Sequence, residues 1–72
     1  MSAASTLSQE VVAAVRRQLL RLARLEDDRA ATELARVPYW SPCPPSVVGH
    51  REAARLLREE ADALLTTFPV VA

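Results

Sequence analysis

Apolar positions recur at steps of three, four and seven between residues 12 and 37. Val12, Val15, Leu19, Leu22 and Ala23, then Ala30, Leu34 and Val37, make one stripe. That spacing is helical, because about 3.6 residues complete a turn. Thr6 and Gln9 stand at capping-box spacing, and Ser8 competes as N-cap, with Leu7 and Val12 placed as a hydrophobic staple. No Gly or Pro follows before Arg36, and Ala, Leu, Arg, Glu and Gln dominate; all five are strong helix formers. Pro38 disfavours the helical conformation at Val37 and stops the element there, and Arg36 suits the negative end of the helix dipole. The pattern predicts a helix over about residues 6–36, about 45 Å long at 1.5 Å per residue. Glu26 interrupts the stripe. If the helix breaks, it breaks at Glu26-Asp27-Asp28, giving three helices instead of two.

Residues 38–45 read Pro-Tyr-Trp-Ser-Pro-Cys-Pro-Pro. Four prolines in eight positions exclude helix and central strand, so a stiff, extended corner close to polyproline II is expected. Ser46 is the expected N-cap of a second helix over about residues 47–67. Gly49 is a weak interior residue that delays regular helix towards His50. This helix is amphipathic: Ala53, Ala54, Leu57, Ala61, Leu64, Leu65 and Phe68 share one face, and Arg51, Glu52, Arg55, Arg58, Glu59 and Asp62 the other. Phe68 and Pro69 stop it, leaving an apolar tail over 68–72.

The fold class is therefore all-α, a single small domain over residues 1–72. It is an antiparallel helical hairpin of long helix, Pro-rich corner and shorter helix. A bare hairpin has only one seam. The first helix is also longer than the second by about ten residues, or about 15 Å, and the surplus carries Leu7, Val11, Val12 and Val15. An apolar patch of that kind normally meets another chain. The hairpin is expected to be completed as a bundle by oligomerisation or by a partner.

Composition narrows the functional classes. Nine Arg balance nine acidic residues, for a formal net charge of zero, which argues against nucleic-acid binding by bulk charge. Half the residues are apolar, too many for intrinsic disorder. The longest run free of Arg, Asp and Glu is interrupted by prolines, so no transmembrane helix is expected. A lone Cys excludes an intrachain disulfide framework and fits a reducing compartment, with cytoplasm as the expectation. Lys, Ile and Asn are all missing, while Ala, Arg and Val are abundant; their codons point to a GC-rich genome.

Candidate chemistry is sparse. Arg17, Arg21 and Arg24, with Arg16 nearby, line one helix face. They are either a solvated outer face or a contact for an anion or nucleic acid. Glu26, Arg29, Glu33 and Arg36 alternate in sign at helical spacing. They form either a surface ladder of weak pairs or a register device, since Glu26 and Glu33 lean towards the apolar side. Tyr39 and Trp40 in the corner either fold back over the end of the bundle or anchor a partner. The helix–Trp–helix layout is similar to that of WXG-type hairpins, but Trp40-Ser41-Pro42 lacks their glycine, and nothing is carried over.

Cys43 and His50 are the only soft metal ligands, too few for a zinc site in one chain. The plain expectations are an unreactive thiol in the turn and a histidine at the seam edge near Tyr39 or Trp40. No catalytic triad, Gly-rich phosphate loop or Glu-x-x-His pair is present, so no enzyme, metal or cofactor is expected. The function expected is a non-enzymatic protein–protein interaction module, either a homodimer or an adaptor or inhibitor bound to a larger protein. Its contact residues are Val11, Val12, Val15, Leu19 and Leu22, with Tyr39 and Trp40 as second anchors. The alternative is a small dimeric regulator touching nucleic acid through Arg16, Arg17, Arg21 and Arg24.

Overall fold

The computed structural model describes residues 2–68, with side chains from Gln9 onward. Two helices make up the described chain: α1, Ser2–Leu34, and α2, Pro45–Thr67. Cross-helix partners rise in one element as they fall in the other. Glu33 meets Ser46, Glu26 meets His50 and Arg16 meets Asp62, so the pair is antiparallel. None of the described helices is long and apolar enough to cross a membrane.

α1 begins at Ser2, before the predicted start at Thr6. Ala3 and Ala4 carry the helix backwards, because nothing there breaks it; Thr6 and Ser8 lie inside the element instead of capping it. α1 is unbroken through Glu26-Asp27-Asp28, since Glu26 and Asp27 both hold partners on α2. Its end tightens into turns that span three residues, Arg36 N–H to Glu33 O at 3.1 Å and Val37 N–H to Leu34 O at 3.0 Å, a common way for a helix to finish.

The corner contains a turn closed by Ser41 N–H to Pro38 O at 2.9 Å. It ends at Pro44, whose backbone is extended at φ −61°, ψ 143°. The second helix starts two residues earlier than predicted. Pro45 occupies its first position, where a fixed φ is preorganised and the missing N–H leaves no bond unmade. Ser46 is not the cap; its hydroxyl donates to the Glu33 carboxylate. Gly49 lies within the helix with no positive φ. At the far end Phe68 leaves the helical region and its N–H bonds Leu64 O at 2.8 Å. The predicted tail from Pro69 lies outside the described residues.

The core is a seam of small side chains. Ala23 and Ala30 of α1 and Val47, Ala54 and Ala61 of α2 are buried, each set at seven-residue steps. Half-buried positions flank them at alternating steps of four and three: Val12, Arg16, Leu19, Glu26 and Glu33 on α1, Val37 just beyond its end, and His50, Leu57 and Leu64 on α2. This is the 3.5-residue repeat of a coiled-coil seam. It corrects the predicted stripe, because Val15, Leu22 and Leu34 lie off the seam and are exposed, whereas Arg16, Glu26 and Glu33 lie on it. Interaxial distance follows the side chains at the contact; alanines bring the helices together and leave the larger residues to the flanks. Leu65 and Phe68, predicted on the inner face of α2, are likewise exposed.

Candidate interaction surface

The two flanks of the hairpin differ in chemistry. On one, Arg58 of α2 donates to the Asp27 carboxylate of α1, and Arg16 approaches Asp62 at 3.9 Å. This flank is cross-linked by the chain's own charges. Near its open end a shallow groove of about 240 Å³ lies between Val12 and Ala13 of α1 and Leu65 and Phe68 of α2.

The opposite flank carries three of the exposed apolar residues of α1; Leu25 and Leu34 are the others. Val11, Val15 and Leu22 are 59, 43 and 40 % exposed. Steps of four and seven put them on one line of the helix, since each residue turns about 100°. By the same rotation Leu56, 48 % exposed, lies on the matching flank of α2. Val12 and Leu19 are half-buried in the hairpin's own seam. Of the five helical contact residues predicted, three are therefore available to a partner and two hold the hairpin together. Leu56 was missed; its signal was an apolar residue set apart from the inner face of α2.

Near the corner this flank turns polar. Glu26 Oε2 lies 2.5 Å from His50 Nδ1, and Glu33 Oε2 lies 3.8 Å from the other ring nitrogen. Arg29 donates to Glu26 at 2.8 Å. The His50 hydrogen bond holds the Glu26 carboxyl below its ordinary value, partial burial opposes that shift, and the Arg29 charge adds to it. The predicted ladder is thus split. Arg29 keeps Glu26, but Glu26 and Glu33 both reach across to α2. His50 meets carboxylates and not the aromatic pair. The useful signal was that Glu26 broke an otherwise apolar stripe.

The outer face of α2 is held by its own charges. Arg55 donates to both Glu52 and Glu59, which raises the guanidinium's pKa and lowers that of Glu52. The predicted arginine stripe loses one member, because Arg16 turns into the seam towards Asp62 with its Nε buried and unbonded. Arg17, Arg21 and Arg24 remain outward around Leu20. Among the described residues none of the three forms an ion pair, and Arg21 instead donates to Gln18 at 3.0 Å.

Tyr39 and Trp40 are 95 and 73 % exposed and do not fold back over the bundle. Their rings meet edge to face at 5.1 Å. Cys43 is exposed, with Sγ 3.8 Å from Pro44 O. Among the described residues no three His, Cys, Asp or Glu side chains are grouped to hold a metal ion. Compared with protein-family models, curated proteins and solved structures, the chain matches none.

Proposed function

We propose that the chain is a non-enzymatic protein–protein interaction module that binds through the apolar flank of α1. One observation carries this reading: Val11, Val15 and Leu22 form a line on one flank and stay substantially exposed. Removing such groups from water is worth about 1.5–3 kcal/mol for each fully buried side chain. The Tyr39–Trp40 pair at the corner is a second contact of the same kind, since exposed aromatic rings are enriched among interface anchors.

Photo-crosslinking tests the reading. A benzophenone amino acid at position 22 is expected to give a protein adduct in the native host, and one at position 52, on the charged face of α2, is not. Adducts at position 52 alone would contradict it. The nucleic-acid reading has less support, because only three arginines of its stripe face outward and the chain has no net charge. It requires binding at low salt that falls steeply as salt is added.

A further inference from the structure

We propose that the apolar flank is covered by a second copy of this chain, with both corners at the same end, so that α1 lies over the partner's α2. This rests on the reading that Leu22 marks an interface, and adds the occupant and its orientation.

Surface area argues for a covering chain. The hairpin exposes 5593 Å². Folded monomers of its 7.9 kDa mass expose only about 4,400 Å² by the usual scaling, so the excess is about 1,200 Å². A specific interface takes about 800 Å² from each partner, so one face-to-face contact removes most of the excess. The shape agrees. The radius of gyration is 16.8 Å, against about 11 Å for a compact chain of this length.

Polarity along the flank selects the orientation. The corner half carries Glu33, Ser46 and His50, and the open half carries Val11, Val15, Leu22 and Leu56. A twofold axis along the hairpin keeps every residue at its own height and sets apolar half on apolar half. The reversed alignment sets the apolar half of each copy on the polar half of the other.

Sedimentation equilibrium on the full chain tests this, with circular dichroism reporting helicity. The wild type is expected at twice 7.9 kDa and Leu22→Asp at the mass of one chain. Retained helicity in Leu22→Asp separates a lost contact from a lost fold. Spin labels on Cys43, the one cysteine, exposed in the corner, read the orientation: corners at the same end hold the two labels well short of the 60 Å long axis of the hairpin. A wild type that stays at single-chain mass at about 100 µM, far above the Kd of a specific complex, overturns the second copy but leaves the Leu22 interface to the crosslinking test. A dimer indifferent to Leu22→Asp overturns both. Labels separated by nearly the full length of the hairpin overturn the orientation.

Discussion

Glu26 and His50 meet across the helix pair, with Oε2 2.5 Å from Nδ1, in a seam whose buried positions are four alanines and Val47. The contact links residues from the middle of α1 and the start of α2, so it fixes how far one helix slides along the other. An alanine seam alone does this poorly, because each seven-residue shift offers a similar small side chain. A polar group at a seam position is the best-attested device for setting register.

The pair makes stability depend on acid. Glu26 is held below its ordinary value of 4.5 in the folded chain, so folding favours its ionised form. The stabilisation is complete above that ordinary value and is lost as pH falls through the lower, folded-state one. Urea unfolding between about pH 6 and about pH 3 is expected to show this acid limb, and Glu26→Gln is expected to flatten it. An unchanged slope in the variant would assign the limb to other carboxylates.

The alanine seam predicts an unusual sensitivity to added volume. Ala54 is fully buried, and Ala54→Leu is expected to cost about 1–3 kcal/mol through overpacking. Ala31→Leu, at an exposed position of α1 away from the Val11–Val15–Leu22 line, is expected to stay within about 0.5 kcal/mol of the wild type. Thermal or urea melts of the two variants compare them directly.

Gly49 offers the opposite change. It lies inside α2 without a positive φ, and a Cβ built there meets nothing within 4 Å. Gly49→Ala should therefore raise stability by about 0.5–1 kcal/mol, the usual cost of glycine in a helix. A destabilised variant would show that the space is used by something other than this chain.

Trp40 reports on the corner. At 73 % exposure it is expected to emit as a wet indole open to collisional quenchers, and Trp40→Ala to leave stability within about 0.5 kcal/mol. A blue-shifted, protected Trp40 in the assembled protein would place the corner inside an interface.

Much of the fold was legible in the sequence. Helical periodicity and the proline cluster at residues 38–45 gave both elements and the reversal between them. The seam was read one step wide. A count of apolar residues favours Val15 and Leu22, whereas close approach favours Ala23, Ala30, Ala54 and Ala61 with a polar layer between them. That choice depends on the distance between the helices, which only packing sets. The apolar flank of α2 was hidden for a similar reason, because Leu56 can be set on a flank only once α1 is docked and the flanks are defined. The ends of the helices moved because Ala3, Ala4 and Pro45 start helices as readily as the predicted caps do.

Light scattering across a hundredfold dilution, for the wild type beside Leu22→Asp, tests the central claim most directly. A wild type near twice 7.9 kDa that falls to one chain in the variant is the expected result. The same mass for both proteins at every concentration would contradict an association surface for copies of this chain on the Val11–Val15–Leu22 flank.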